Sequence, residues 1–180
     1  MKNLKLGIWL PLVIFFGLIG LFVHGLMRPA DTNVPSTFVG NPLPQFDLPA
    51  AAADRPGLTT AAFRTGKPHL LNVFASWCLP CAAEAPQLAA LAQAGAQVDG
   101  VAIHDRPDDL ARFLVNNGNP YAAIGRDDKR AVQIAIGSSG VPETYVIDGQ
   151  GVIRYQHIGD IRAEDVPMLL DKLKAAGAGS

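Results

Sequence analysis

Apolar positions fall along this chain in three patterns. The first is a continuous run. Leu6 to Val23 carries no charged residue, and the run extends through His24, Gly25 and Leu26 to Met27. At 1.5 Å per residue a helix of that length matches the ~30 Å hydrocarbon core of a bilayer. Pro11 and the glycines fit, because both residue types are common in membrane helices. A cleaved signal peptide would have an apolar region of roughly 7–15 residues ending in small residues. This run is longer and leads into His24-Gly25-Leu26-Met27-Arg28-Pro29. The expectation is therefore a retained transmembrane anchor over 6–27. Lys2 and Lys5 precede it and Arg28 follows it, which predicts a cytoplasmic N-terminus with the remainder of the chain outside.

The second pattern is a set of short runs with strand character: 69–74, 97–104, 143–148 and 152–158. Asp148-Gly149-Gln150-Gly151 between the last two predicts a hairpin. Shorter strand signals lie around 41–49, bracketed by prolines as on a sheet edge, and at 121–124. Leu58 to Phe63 reads as a short strand or one helical turn. The third pattern is helical. An Ala/Leu/Gln run follows Cys81 as far as Ala94. Leu110, Phe113 and Leu114 give one face to a helix opened by Asp105-Arg106-Pro107-Asp108-Asp109. A further helix is expected over 127–136. Val166, Leu169, Leu170 and Leu173 form one face of a closing helix over 165–176. Strands alternating with helices, then a hairpin and a last helix, predict an α/β fold with a mixed central sheet flanked by helices. The polar, Pro- and Thr-containing stretch 28–40 reads as a linker, 41–176 as one domain, and 177–180 as a flexible tail, with fraying from Ala175.

Charge narrows the function classes. From Pro29 onward sixteen acidic residues face twelve basic ones, which gives no electrostatic basis for nucleic-acid binding. The chemistry concentrates in Trp77-Cys78-Leu79-Pro80-Cys81, which holds both cysteines of the chain. A C-x-x-C pair between a strand and a helix is a redox arrangement. The first cysteine meets the free N–H groups and positive dipole end of the helix, which stabilise a thiolate. Cys78 is thus the expected attacking thiol and Cys81 the resolving one. Pro80 is tolerated in a first turn, whose N–H groups have no intrahelical acceptor. A zinc half-site is the competing reading. With no second cysteine pair, and with His24, His69, His104 and His157 lacking ligand spacing, no metal site is expected.

Other residues gain interest from their distance to this pair. Trp77 is read as part of a docking surface beside the thiol. Glu84 lies one helical turn past Cys81, either tuning the pair and carrying protons or simply solvated; both readings stay open. Pro86 removes a helical hydrogen bond to Ala82 and is expected to bend the helix. Asn72, polar within an apolar strand, needs buried partners and is placed beneath the site. As an amide it cannot act as a base, which leaves Glu84 and Glu143 as candidates. Val141-Pro142-Glu143 opens a strand after a Gly-rich loop, so Pro142 is a candidate cis proline. Asp105–Asp109 and Asp127–Arg130 are read as solvated helix ends without a functional role.

Taken together, Gly66-Lys67-Pro68, the stretch from Leu70 to Cys81, Glu84 with Pro86, Gly140-Val141-Pro142-Glu143-Thr144, and Ile147-Asp148 with Gly151 resemble the CcmG/DsbE family. These are membrane-anchored thioredoxin-like proteins of cytochrome c maturation; TlpA-like reductases are the next most similar. The resemblance implies a thioredoxin-like fold with an added N-terminal strand region. It also implies a cis Pro142 packed on the Cys78–Cys81 pair, with Val141 offering backbone groups to an extended substrate. Asn72 stands where thioredoxin has a buried aspartate, and the family places acidic residues around the thiols, which points to Glu84 and Glu143. The implied activity is that of a periplasmic thiol:disulfide oxidoreductase anchored in the inner membrane and needing no cofactor. It would reduce the haem-binding cysteines of apocytochrome c or a CcmH-type partner, and be recharged by a membrane electron donor of the CcdA or DsbD type. Gly137-Ser138-Ser139-Gly140 departs from the family, which typically has an aromatic between these glycines. Two alternatives stand beside this reading: a general exported reductase or oxidase with other clients, and an anchored binding module whose disulfide is only structural.

Overall fold

The structure is a computed structural model and describes residues 3–26 and 38–178. Two units divide at 34/35. In the first, the apolar run forms a single helix, α1 (Asn3–Leu26), with Pro11 inside it. The large apolar side chains from Trp9 to Val23 are exposed. The expectation of a transmembrane anchor over 6–27 is corrected: among the described residues no helix is long and apolar enough to cross a membrane. The single-pass inner-membrane placement, with a cytoplasmic N-terminus and a periplasmic catalytic domain, falls with it. Residues 28–37 of the expected linker, and 179–180 of the expected tail, lie outside the described residues.

The second unit is the α/β fold. β1 (Asp47–Leu48) and β2 (Leu58–Thr59) form a small antiparallel pair, and a 3-10 turn covers Thr60–Phe63, so 58–63 is strand and then helical turn. β3 (His69–Phe74) is followed by α2 (Leu79–Gln93), β4 (Gln97–Ile103), α3 (Pro107–Asn117) and β5 (Ile124–Asp127). Then come α4 (Ala131–Ala135), β6 (Glu143–Ile147), β7 (Ile153–Ile158) and α5 (Asp165–Ala178). The sheet order is β5-β4-β3-β6-β7, parallel across β5-β4-β3 and antiparallel across β3-β6-β7. The mixed sheet is as expected. Every residue of β3 is buried, as suits a central strand covered on both faces. Asp148 closes the β6–β7 turn: its carboxylate accepts the N–H groups of Gln150 and Val152 and an Arg154 hydrogen bond at 2.6 Å.

Several boundaries differ from expectation, and the strand signal around 41–49 leaves only Asp47–Leu48 as strand. The strand expected at 121–124 begins at Ile124, because Tyr121 is taken into the core, stacked on Phe74 at 4.6 Å. The helix expected over 127–136 shortens to α4. Asp127 ends β5 instead, and its buried carboxylate accepts the N–H groups of Ala131, Val132 and Gln133. At the C-terminus α5 continues to Ala178 rather than fraying from Ala175, with Ala176 buried.

Candidate active site

β3 runs straight into the thiol loop. Cys78 is the N-cap of α2 in an extended conformation, and its sulfur accepts the N–H of Cys81 at 3.2 Å. The two cysteines form a disulfide with Cα atoms 5.3 Å apart. The sulfur that caps the helix faces its positive end, the physical basis for a stabilised thiolate on Cys78. Trp77 and Leu79 flank it as exposed apolar side chains, at 55% and 82% of their full surface. Both cysteines are buried in the oxidised pair.

Beneath the pair lies a closed polar network. Asn72 in β3 donates from Nδ2 to Glu84 Oε1 and to Thr144 Oγ1, both at 3.0 Å, and accepts the Tyr121 hydroxyl at Oδ1 at 2.8 Å. Glu84 Oε2 accepts the Ile161 N–H at 3.0 Å. Asn72, Glu84 and Thr144 are fully buried. Burial pushes the Glu84 carboxyl up to about 7, against the lowering effect of the Ile161 and Asn72 hydrogen bonds, with the Asp160 charge adding to the rise. Burial, with Glu84 nearby, also raises the Tyr121 hydroxyl well above its ordinary range. The choice between a solvated Glu84 and one facing the interior is thus decided for the interior, one turn beyond Cys81.

The Val141–Pro142 peptide is cis. Val73 pairs with Glu143, so Pro142 sits at the end of β6 beside the C-terminal end of β3, the end from which the thiol loop departs. Glu143 itself points elsewhere. Side chains alternate across a strand, and Thr144 faces Asn72, so Glu143 faces the opposite side. There it accepts hydrogen bonds from the N–H and hydroxyl of Ser139, the Tyr145 hydroxyl and Gln156 Nε2. The structure gathers Asn72 and Glu84 near the cysteines but sets Glu143 under the Gly137–Gly140 loop, which it anchors through Ser139.

Several participants escaped the sequence reading. Tyr121 and Thr144 complete the network with Asn72. Asp105, read as a solvated helix end, accepts hydrogen bonds from the N–H (2.7 Å) and hydroxyl of Ser76, two residues before Cys78. The available signal was topological: β3 and β4 are parallel, so the loops that follow them emerge side by side at one sheet edge. Among the described residues there is no group of three or more His, Cys, Asp or Glu able to hold a metal ion.

A C-x-x-C disulfide at the helix start after the central strand of this sheet, with a cis proline at the neighbouring strand end, defines a thioredoxin-fold thiol:disulfide oxidoreductase. The redoxin family model matches residues 38–173. The thiol:disulfide interchange protein DsbE of Yersinia pestis is 40% identical over 159 residues, covering 85% of this chain and 84% of that one. The thiol:disulfide interchange protein HelX of Rhodobacter capsulatus is 34% identical over 170 residues, covering 94% and 96%. The crystal structure of a thioredoxin-family thiol:disulfide interchange protein from Chlorobium tepidum aligns with a TM-score of 0.61 at 21% identity, over 76% of this chain and 95% of that one, a likeness of fold. The chain belongs to the redoxin family and, within it, to the CcmG/DsbE-like thiol:disulfide interchange proteins.

Proposed function

We propose that this protein is a reductant for paired cysteines in cytochrome c maturation, acting on the haem-binding cysteines of apocytochrome c or on a CcmH-type partner. The observation that carries the mechanism is Cys78 at the N-cap of α2, with its sulfur on the Cys81 N–H. The client is supported by membership of the CcmG/DsbE-like family. In the reduced protein the Cys78 thiolate attacks one sulfur of the client disulfide. The client S–S bond breaks, a Cys78–client disulfide forms, and the released client thiolate takes up a proton. Cys81 then gives up its proton and attacks Cys78, closing the Cys78–Cys81 disulfide and releasing the second client thiol. Two electrons pass to the client, whose two thiolates take up two protons, one supplied by Cys81 and one by solvent. Glu84, with its pKa near 7, accepts the Cys81 proton and passes it on. Trp77, Val141 and Pro142 form the surface on which the client segment docks. A donor of the CcdA or DsbD type restores the dithiol by the reverse exchange.

Cys81→Ala leaves the first step intact and blocks the second, so it traps the client. Expressed in the cells the protein comes from, the variant is expected to accumulate a disulfide-linked adduct with a haem-attachment or CcmH-type protein, and Cys78→Ala none. Adducts formed through Cys81 in the Cys78→Ala variant would reverse the thiol assignment. Trapping only proteins unrelated to haem attachment would refute the client.

A further inference from the structure

β3 and β4 lie side by side and parallel, and the loops that leave them are fastened together. From the thiol loop, the Ser76 N–H and hydroxyl donate to the two oxygens of Asp105, and the Trp77 indole N–H donates to the His104 carbonyl at 3.2 Å. The receiving loop is itself held in an unusual shape: His104 has a φ of 45°, a left-handed conformation that residues bearing a Cβ avoid unless surrounding contacts impose it. That turn presents the His104 carbonyl and the Asp105 carboxylate to the two residues before Cys78. Ser76, Trp77, Cys78, His104, Asp105 and Phe113 line one open cleft of about 650 Å³. The cleft also carries Arg106, Asp109 and Arg112, but both arginines pair with Asp109. Both Asp105 oxygens go to Ser76, and among the described residues no ion pair neutralises them.

We propose that Asp105 is a positioning residue of the redox site, which locks the Ser76–Cys78 turn in place and, by its charge, makes the cysteine pair more reducing. This rests on the exchange reading above. A carboxylate in the cleft that Cys78 lines disfavours the thiolate, the form that dominates the reduced state of a helix-capped thiol. Destabilising the reduced state lowers the potential, the opposite of strongly oxidising pairs, whose reduced form is stabilised. The helix end and the Asp105 charge therefore act on Cys78 in opposite directions. The first makes the thiol reactive, and the second keeps the pair ready to give its electrons away.

The test is equilibration of the full chain with glutathione redox buffers, reading the ratio of oxidised to reduced pair. Asp105→Asn keeps the shape and an acceptor for the Ser76 N–H while removing the charge. It is expected to move the equilibrium constant about three- to tenfold toward the reduced pair. Ser76→Ala removes one hydrogen bond, keeps the charge, and is expected to stay within about twofold of wild type. An Asp105→Asn constant equal to that of an exchanging wild type, or a Ser76→Ala shift as large as that of Asp105→Asn, would overturn the proposal while leaving the exchange reading intact. If Asp105→Asn does not fold, Asp105→Ser carries the same expected shift and the same refutation. A wild-type pair inert to glutathione would overturn the exchange reading, and this inference with it.

Discussion

Glu84→Gln isolates the one acid buried beneath the cysteines. In the folded protein Glu84 titrates near 7 against an ordinary 4.5, chiefly because burial penalises its charge. The folded state therefore binds the proton more tightly than the unfolded chain. The stability this carries is complete below pH 4.5 and is lost as pH rises through 7. A gap of roughly 2.5 units at 1.36 kcal/mol each amounts to about 3 kcal/mol between pH 4.5 and 8. The amide that Glu84→Gln introduces cannot titrate, so the variant's stability should not show that loss. The substitution has its own pH-independent cost. The amide has one oxygen for the Asn72 Nδ2 and Ile161 N–H donors, and an unmet buried donor costs about 1–3 kcal/mol. The quantity to measure is therefore the change with pH of the difference between variant and wild type, from denaturant unfolding of the oxidised proteins between pH 4.5 and 8. We expect the variant to gain on the wild type by about 3 kcal/mol across that range, centred between pH 5 and 7. A difference that stays flat to within about 0.5 kcal/mol would refute the assignment of a raised Glu84 pKa, whatever the absolute stabilities.

Two further substitutions probe the surroundings. Tyr121→Phe keeps the ring stacked on Phe74 but deprives Asn72 Oδ1 of its donor; a loss of about 1–2 kcal/mol in denaturant unfolding is expected, and an unchanged stability would show that the hydroxyl is not part of the network. Asp127→Ala strips the acceptor from three N–H groups at the start of α4, so about 1–2 kcal/mol of stability should go. Hydrogen exchange at residues 131–133 should accelerate with it, and protection as in the wild type would dismiss the capping role.

What the sequence disclosed follows from how local each signal is. β3, α2 and the β6–β7 hairpin were legible because their patterns are complete within a few residues: an unbroken apolar run, a cysteine pair opening a helix, an Asp-Gly turn. The cis Pro142 was legible as a candidate for the same reason. Asn72 announced itself as a polar residue in an apolar strand, but its partners lie 12, 49 and 72 residues away, and nothing local points to Tyr121 or Thr144. Glu143 was a candidate base because the Asn72 amide cannot serve and because the resemblance points to acidic residues around the thiols, but strand alternation turns it to the face of the sheet opposite Asn72. Asp105 and Asp127 were both read as solvated helix ends; Asp105 is instead held by the N–H and hydroxyl of Ser76, and Asp127 by three backbone N–H groups. The N-terminal run was judged on apolar length over 6–27, whereas among the described residues no helix is long and apolar enough to cross a membrane.

An amide rather than a carboxylate at position 72 gives the network its logic. Two buried carboxyl groups facing one another would resist joint ionisation, and one would hold its proton tightly. With an amide there, Nδ2 donates to Glu84 while Oδ1 accepts from Tyr121, so every direction of hydrogen bonding is fixed and a single acid remains. That acid is held from outside its own helix, by β3 through Asn72 and by the segment ahead of α5 through Ile161. Among the groups that meet beneath the pair, Tyr121 is pushed well above its ordinary range and Asn72 does not titrate, whereas Glu84 lies near 7. A proton leaving Cys81 as the disulfide closes therefore has one acceptor in this network whose affinity matches neutral pH. The same burial that makes Glu84 costly to ionise gives it that affinity. The stability it withdraws between about pH 4.5 and 7 and the proton relay proposed for it both trace to one desolvated carboxyl.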